Sequence, residues 1–203
     1  ASTSNLGPGF DTLGLAVDLH VKVQIEAAPT FTIEMSGEGK DILPADSRNY
    51  VIKAAREVAG KLVDKCHWRI HSDIPVSRGL GSSAASRAAG LGAGYLLRDG
   101  KLPAAEEIFI GVAHSEHHPD NASATAYGGF RIAGRNAQAH WESSAGSWGL
   151  GSCKILLIIP DEPVSTEQAR SLLPTTFSRA DSVRNLQYLG GLLNGFAQGN
   201  WNE

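Results

Sequence analysis

Residues 74–91, "IPVSRGLGSSAASRAAGL", have the pattern of a glycine-rich turn that opens a helix. Gly79 and Gly81 permit positive φ angles and let backbone N–H groups come close to a ligand. Ser82 and Ser83 follow at once, and a helix N-terminus placed there supplies partial positive charge. The stretch predicts an anion cradle, and a flexible turn with a serine N-cap is the alternative that it leaves open.

The chemistry of this loop differs from that of two common phosphate-binding loops. It has no G-x-x-x-x-G-K-[ST] pattern, so the lysine of the P-loop has no counterpart. It also lacks G-x-G-x-x-G, the pattern of dinucleotide-binding folds and of protein kinases. Backbone amides and serine hydroxyls would therefore have to hold a phosphate here without a lysine from the motif.

Two more stretches concentrate polar groups beside glycine or proline. "SNLGPGFDTLGLA" at 4–16 predicts a bent loop in which Asn5 and Asp11 flank a Gly-Pro-Gly centre. "AHSEHHPDNASATAYGGF" at 113–130 crowds histidines and carboxylates at a predicted helix end. A tight turn and a solvated helix terminus are the structural alternatives. A zinc site in the second stretch is a further alternative, although H-E-x-x-H is absent from it.

Hydrophobic periodicity over the rest of the chain predicts a mixed α+β fold rather than a regular alternation of strand and helix. The first helix takes Ser47 or Asn49 as its N-cap, and a hairpin-like reversal is expected at Pro29-Thr30 between two alternating strands. The predicted helices are 49–65, 83–97, 104–117, 166–173 and 181–197, and the predicted strands are 15–28, 31–35, 66–72, 128–134 and 154–160, the last one buried. Three glycines that lower helix propensity but permit close packing lie in the second helix, at Gly90, Gly92 and Gly94.

The composition of the 203 residues indicates a globular protein and argues against two classes of partner. Apolar residues make up 42% of the chain and charged residues 19%, which is enough for a substantial core. A formal net charge of −3 offers no basic surplus for nucleic acid, and no apolar run reaches the roughly 20 residues that span a bilayer. Cys66 and Cys153 lack metal-ligand spacing and no secretory signal is visible, so we expect reduced thiols and a cytoplasmic location.

Taken together, these stretches resemble the GHMP kinase superfamily and, within it, the homoserine kinases. The resemblance is carried by "ASTSNLGPGFDTLGLAVDL" at 1–19, by residues 74–91, by "EHHPDNASATAYGGF" at 116–130 and by "VSTEQARSLLP" at 164–174, in the family's order. It implies transfer of the γ-phosphoryl group of ATP to the side-chain hydroxyl of L-homoserine, with Mg²⁺, on the route to threonine. A GHMP kinase for another small alcohol and an inactive binding or regulatory protein of this fold remain alternatives.

On the nucleotide side, the resemblance implies that the glycine-rich loop wraps the ATP phosphates. The implied ATP-binding residues are Pro75, Ser77, Arg78, Gly79, Leu80, Gly81, Ser82 and Ser83. The implied Mg²⁺ ligands are Ser83 and Glu116. Many homoserine kinases have E-x-E-G-H-P-D-N here, whereas this chain has His114 at the first glutamate and His117 at the glycine, which leaves Glu116 as the metal carboxylate.

On the acceptor side, the resemblance implies five substrate-binding residues, namely Asn5, Asp11, His118, Asn121 and Arg170. A guanidinium at 170 suits the amino-acid carboxylate because its planar fork donates two hydrogen bonds. Phosphoryl transfer depends mainly on positioning and charge neutralisation. We therefore expect Asn121 to orient the hydroxyl, Asp11 to assist and Arg170 to contact transition-state charge, without a dedicated base.

The resemblance also implies two lobes. Residues 1–150 would form the ATP-binding lobe, like ribosomal protein S5 domain 2 with its left-handed βαβ unit, and residues 151–203 would begin a ferredoxin-like C-terminal lobe. A later S-G-[AS]-G-P segment and a second substrate arginine are not found, so we expect a C-terminally incomplete chain. The expected partners are the small molecules L-homoserine and ATP, with neither nucleic acid nor membrane, and a homodimer is left open.

Overall fold

The computed structural model describes residues 1–146, 148, 154–162 and 166–199, except for the side chains of residues 166 and 167. Its strands are β1 (Ser2–Thr3), β2 (Leu13–Ala16), β3 (Val21–Ala27), β4 (Thr32–Gly37), β5 (Cys66–Ser72), β6 (Phe130–Arg135) and β7 (Trp141–Ser144). Its α-helices are α1 (Tyr50–Ala59), α2 (Ser82–Asp99), α3 (Ala105–Glu116), α4 (Asp120–Tyr127), α5 (Thr166–Ser171) and α6 (Arg179–Gln198). Short 3₁₀ helices cover Gly7–Gly9 and Gly60–Lys65. The α+β prediction is confirmed.

The strands form two sheets, in the orders β1-β2-β6-β7 and β3-β5-β4. In the second sheet β5 runs antiparallel to β3 and parallel to β4, so the chain does reverse between β3 and β4. The expected reversal is confirmed, although the two strands do not pair with each other, because β5 lies between them. Trp68 pairs with Ile25 on one side and Ile33 on the other. β5 takes the central position because its alternate side chains are fully buried, whereas those of β3 and β4 are only partly so.

The first core cluster lies between this sheet and the helix pair α1 and α2. Its fully buried members include Ile52, Val63 and Trp68. The helices approach so closely because α2 has glycine at the contact: a Cβ on Gly90 would lie 2.3 Å from the carbonyl oxygen of Val51. The expectation that glycines permit close packing is confirmed at Gly90 and at Gly94. A second cluster joins α2, α3, α4 and β6.

The boundaries of α1 follow from one side chain and one glycine. Asn49 is the N-cap, as expected, and its Oδ1 accepts a hydrogen bond of 3.0 Å from the N–H of Val51. The helix ends at Gly60, whose φ is +56°, and the chain continues as a 3₁₀ turn to Lys65. The single helix predicted over 49–65 is therefore correct for its first ten residues or so, and its end is set by a backbone conformation that glycine adopts without strain.

The buried strand predicted at 154–160 is wrong. These residues form no strand, and Leu156 and Ile158 are 84% and 87% exposed. An extended segment needs a neighbouring strand to satisfy its backbone groups, and no strand of the residues described here pairs with it. Leu157 alone packs against the small cluster that contains Ile74 and Leu80.

Helix α4 was missed by sequence reasoning. The stretch after Pro119, residues 120–127, has small and polar residues with little apolar periodicity, so its pattern does not predict a helix. The proline instead stands at the N-cap of a second helix, a junction where its missing N–H costs nothing. This junction places Glu116, at the end of α3, close to His118 and to Asp120, at the start of α4.

Several expectations fall on residues outside the described part of the chain, namely Cys153, the domain boundary near 150 and the first two residues of "VSTEQARSLLP". Cys66 is buried and free, and burial raises the pKa of its thiol. Helices α5 and α6 occupy the predicted ranges, and α6 contacts the opening loop through a hydrogen bond of 3.2 Å from Asn185 Nδ2 to the Pro8 carbonyl. Over the residues that the structure describes, no helix has the length and apolar character needed to cross a membrane.

Candidate functional site

The glycine-rich loop forms an open helix N-terminus. Ser77, Gly79 and Gly81 all have positive φ angles, +57°, +70° and +63°, which turn the chain sharply into α2. Gly81 is the N-cap, so the alternative of a serine N-cap is wrong. Because Gly81 has no side chain to accept from the first-turn N–H groups, those donors and the hydroxyl of Ser82 are left for another acceptor.

The rest of the loop is anchored to the protein on two sides. Leu80 is buried, and its carbonyl oxygen accepts a hydrogen bond of 3.3 Å from the N–H of Ser2. Arg78 donates to the carbonyl oxygens of Val76 and Asp161, so its guanidinium is bound to main chain. Pro75 is half-buried. The loop is thus a fixed element whose N–H groups keep their direction.

The opening segment of the chain lies directly against this loop. A Cβ on Gly79 would meet Asn5 Nδ2 at 2.4 Å, and one on Gly81 would meet Ser2 Oγ at 2.5 Å and Asn121 Oδ1 at 3.0 Å. The three stretches singled out in the sequence therefore meet at one place. Only glycine allows these contacts, since a side chain at either position would displace a polar group of a neighbouring stretch.

Asn121 is held by the side chains of Ser2, in β1, and of Ser4, just after it. Its Nδ2 donates to Ser4 Oγ at 3.0 Å, and its Oδ1 accepts from Ser2 Oγ at 3.0 Å. Ser2 is fully buried and also lies 3.0 Å from Thr125 Oγ1. The amide orientation of Asn121 is consequently determined on both of its polar atoms, as a residue that positions a ligand requires.

A second polar group surrounds His118. Its Nδ1 lies 2.7 Å from Asp120 Oδ1, and that same oxygen accepts from the N–H of Asn121 at 2.6 Å. Arg170 donates both arms of its guanidinium to the carboxylate of Asp11. Side-chain ligand atoms of Asp11, His118 and Asp120 lie within 4.8 Å of one another. The ion pair of Asp11 with Arg170 and the His118–Asp120 pair are therefore neighbours.

The environment favours the charged form of each partner in the His118–Asp120 pair. The hydrogen bond to Asp120 raises the pKa of His118, against the opposing effect of burial. Burial acts to raise the pKa of Asp120, but the hydrogen bonds from His118 and from the N–H of Asn121 outweigh it and leave that pKa below its usual value. His118 therefore donates from Nδ1, and its Nε2 faces Glu116 Oε2 at 3.9 Å.

Glu116 and Ser83 supply the oxygens nearest to the start of α2. Ser83 Oγ donates to Glu116 Oε1 at 2.5 Å, and Arg87 Nε donates to the same oxygen at 2.8 Å. A carboxylate and a hydroxyl that converge on one point are hard oxygen ligands of the kind that Mg²⁺ prefers. The oxygen types therefore fit a divalent cation, and in the structure the guanidinium of Arg87 neutralises this carboxylate.

The departure from the family pattern at His114 lies away from this point. His114 is exposed, and its ring meets Trp141 edge-on at 6.5 Å. Residues two apart on a helix project to opposite sides, so a side chain at 114 cannot share a ligand with Glu116. His114 and His117 also lie outside the group of Asp11, His118 and Asp120. The altered residue at 114 therefore leaves the contact between Ser83 and Glu116 in place.

His117 occupies the glycine position of the family pattern because the chain turns there. Its φ is +66°, in the left-handed region, and it is the C-cap of α3. Glycine adopts this conformation without the steric cost that a Cβ brings. The sequence pattern E-x-E-G thus reflects a backbone requirement at a helix end.

We expect His117→Gly to stabilise the protein by about 0.5–1 kcal/mol, since relief of the left-handed strain exceeds the entropy cost of glycine. His114→Gly is the matched control, because the same change within α3 should destabilise by about 1 kcal/mol. Urea unfolding of both variants measures the difference. Equal destabilisation by the two substitutions would show that residue 117 is not strained.

Several residues that shape the site were not predicted from sequence. They are Ser2, Ser4, Arg87, Asp120 and Thr125. Ser2 and Ser4 alternate along "ASTSN" and so project to one side of a strand, which is the one local signal that was available. Arg87 and Thr125 gave no such signal, because their partners are 29 and 123 positions away.

Comparison with known proteins identifies the family of this chain. Residues 49–129 match the model of the GHMP kinases N terminal domain. Among curated proteins, the chain is 35% identical over 204 residues to a homoserine kinase of Nitratiruptor, covering 99% of this chain and 69% of that protein. It is 38% identical to a homoserine kinase of Corynebacterium kroppenstedtii, covering 92% of this chain and 63% of that protein.

Two solved structures have a similar fold over nearly the whole chain. A Listeria monocytogenes protein assigned as a homoserine kinase has a TM-score of 0.77 at 26% identity, over 98% of this chain and 68% of its own. A homoserine kinase of Cytophaga hutchinsonii has a TM-score of 0.72 at 24% identity, over 98% and 66%, and supports the fold alone. The chain thus spans roughly two thirds of the length of these proteins, and it has the GHMP kinase fold.

Proposed function

This chain belongs to the homoserine kinase family of GHMP kinases, and from that premise we propose that the protein transfers the γ-phosphoryl group of ATP to the side-chain hydroxyl of L-homoserine. The product is O-phospho-L-homoserine, on the route to threonine. One observation carries the proposal: the anion-binding loop at Gly81 touches Ser2 and Asn121, so a phosphate on the loop would lie beside the polar groups proposed to bind the acceptor.

The nucleotide is proposed to bind at the N-terminus of α2. Its phosphates would accept hydrogen bonds from the open N–H groups after Gly81 and from the hydroxyls of Ser82 and Ser83. Ser83 and Glu116 would hold Mg²⁺, which neutralises phosphate charge when bound. The loop residues from Pro75 to Leu80 shape this cradle through their backbone, because Arg78 and Leu80 are tied to neighbouring carbonyl and N–H groups.

The acceptor is proposed to bind between Asp11 and Arg170 and to replace their ion pair with its own charged groups. A free amino acid carries an ammonium and a carboxylate on one carbon, and this pair offers the complementary charges. In the structure each side chain satisfies the other, with about one third of each exposed. The substrate ammonium would replace the guanidinium on Asp11, and its carboxylate would take the fork of Arg170, with Asn5 and His118 lining the same site.

The transfer itself needs alignment more than acid–base chemistry. The hydroxyl oxygen forms a bond to the γ-phosphorus, the bond to the bridging oxygen breaks, ADP leaves and the hydroxyl proton passes to solvent. Asn121 is proposed to orient the hydroxyl, since its amide is held by Ser2 and Ser4. Asp11 assists as a neighbouring carboxylate, and the guanidinium of Arg170 offsets charge that develops in the transition state.

The proposal is tested by an acceptor panel with the full-length protein and Mg-ATP. Homoserine, threonine, serine, mevalonate and shikimate are compared by ADP release and by mass detection of the phosphorylated acceptor. We expect homoserine to exceed each other acceptor by about 100-fold in kcat/KM. Mevalonate and shikimate lack the ammonium that the site pairs, and the hydroxyls of serine and threonine lie one carbon closer to the α-carbon and so are misplaced for transfer. Preference for another alcohol would replace homoserine as the assigned acceptor. Binding of ADP or ATP without turnover would indicate a binding protein.

Arg170→Gln should raise the KM for homoserine by about 100-fold and leave the KM for ATP nearly unchanged. Loss of two charge-assisted hydrogen bonds to a carboxylate accounts for this size. Arg184→Gln is the matched control, since Arg184 is an exposed arginine whose nearest carboxylate, Asp181, lies at 3.9 Å. Steady-state kinetics at varied homoserine measure the effect, and an unchanged homoserine KM would remove the amino-acid assignment.

A further inference from the structure

Arg87 occupies an unusual position beside the proposed metal carboxylate. Its Nε donates to Glu116 Oε1 at 2.8 Å, and both side chains are largely buried, 18% and 13% exposed. The other side of its guanidinium lies over the ring of Tyr50, with the Cζ atom 4.4 Å from the centroid. The cation is therefore held between a carboxylate and an aromatic face.

The contact made by Arg87 involves the same atom that a metal would need. Glu116 Oε1 accepts hydrogen bonds from Ser83 Oγ at 2.5 Å and from Arg87 Nε, so both of its lone pairs are in use. The second oxygen, Oε2, lies 3.9 Å from His118 Nε2. A divalent cation that binds Ser83 and Glu116 must displace a positive charge that is already present, rather than enter an unpaired acidic site.

We propose that Arg87 is a resident counter-ion of Glu116, which it must release before a divalent cation binds, so that Arg87 sets how strongly nucleotide binding depends on that cation. The proposal rests on the proposed nucleotide site. Two features of the structure make release feasible. Arg87 holds Glu116 through one nitrogen rather than through a bidentate fork, and the ring of Tyr50 continues to offer its guanidinium a contact after the carboxylate is lost.

The test measures ADP binding to the full-length protein by calorimetry, once in EDTA and once with saturating Mg²⁺. The Kd for ADP in EDTA divided by the Kd with Mg²⁺ gives the contribution of the cation to binding. In Arg87→Met we expect this ratio to rise about tenfold, the size of one hydrogen bond between charged groups. Removal of the competitor tightens binding with Mg²⁺, and the uncompensated Glu116 repels metal-free ADP, so both effects act in the same direction.

Two variants on the same helix separate this role from general effects. Arg98→Met is the matched control, since Arg98 also pairs with a carboxylate, Asp99 at 2.7 Å, and also lies over a tyrosine ring, at 4.7 Å. It should leave the ratio unchanged. Arg87→Lys keeps the charge without the planar face, and we expect a rise of about two- to threefold. The lysine variant also answers the question if Arg87→Met does not fold.

In the Glu116→Gln background, Arg87→Met should no longer change the ratio, because the carboxylate for which Arg87 and the cation compete is absent. An unchanged ratio in Arg87→Met would overturn the proposal in favour of a structural role, and a lower ratio would overturn it in favour of a direct phosphate contact. If wild-type protein binds ADP under neither condition, the proposed function fails and this proposal fails with it. ADP binding with an unaltered ratio refutes this proposal alone.

Discussion

Replacing Gly81 with alanine should lower ADP affinity at least 100-fold and destabilise the protein by about 2–4 kcal/mol. The φ of +63° at this position carries a cost of about 1 kcal/mol for a residue with a Cβ. The added atom would also lie 2.5 Å from the side chain and 2.8 Å from the carbonyl oxygen of Ser2, which is fully buried. Overpacking of this kind adds about 1–3 kcal/mol.

The effect on binding follows from the same displacement. The loop can accommodate the methyl group only by moving away from Ser2 and Asn121, which turns the first N–H groups of α2 away from the bound phosphates. Urea unfolding and ADP titration measure the two consequences. Gly134→Ala is the control, because nothing lies within 4 Å of a Cβ at that position and its φ is not positive. Wild-type ADP affinity in Gly81→Ala would show that the loop does not hold the nucleotide.

The second large effect concerns two glycines of one helix that should respond with opposite sign. Gly90→Ala is expected to destabilise by about 2–4 kcal/mol, because the new Cβ would lie 2.3 Å from the carbonyl oxygen of Val51 and 2.9 Å from the Cβ of Ala54. Gly92→Ala is expected to stabilise by up to about 1 kcal/mol. Its Cβ would meet only Leu102 Cδ2 at 3.7 Å, an ordinary contact, and alanine has the higher helix propensity.

These two substitutions give a sharp test because propensity alone treats them alike. Alanine favours the helix by about 1 kcal/mol at either position, so any difference in sign reports the approach of α1 to α2. Urea or thermal unfolding of both single variants is sufficient. Stabilisation by both would mean that the helices can separate at no cost, and the packing at Val51 would then not limit this core.

The phosphate-loop prediction and much of the secondary structure followed from neighbouring residues. Asn49 caps α1 because a short amide reaches the N–H two positions on. Gly79 and Gly81 turn the loop because only glycine takes positive φ freely. Strand β5 is evident from its alternation, with Cys66, Trp68 and Ile70 on one side. Each of these signals lies within a few positions along the chain.

For residues far apart in sequence, only their common location could be predicted, and that prediction depended on the resemblance to a family. That Asn5, Asp11, His118, Asn121 and Arg170 would share one region came from the order of four motifs. The contacts themselves did not. Asp11 takes both arms of Arg170 across 159 positions, and Ser2 reaches Asn121 across 119.

What the chain encodes locally is therefore the conformation of its turns, helix starts and alternating strands, since these depend on steric and hydrogen-bonding preferences of adjacent residues. Tertiary packing decided the rest. It gave β5 the central place and left 154–160 without a partner strand among the described residues. It also placed the Val51 carbonyl against Gly90 and left room beside Gly92. It also brought Arg87 onto Glu116 across 29 positions. The physical reason is that such pairings are chosen by burial and charge among residues far apart in sequence, for which no local preference exists.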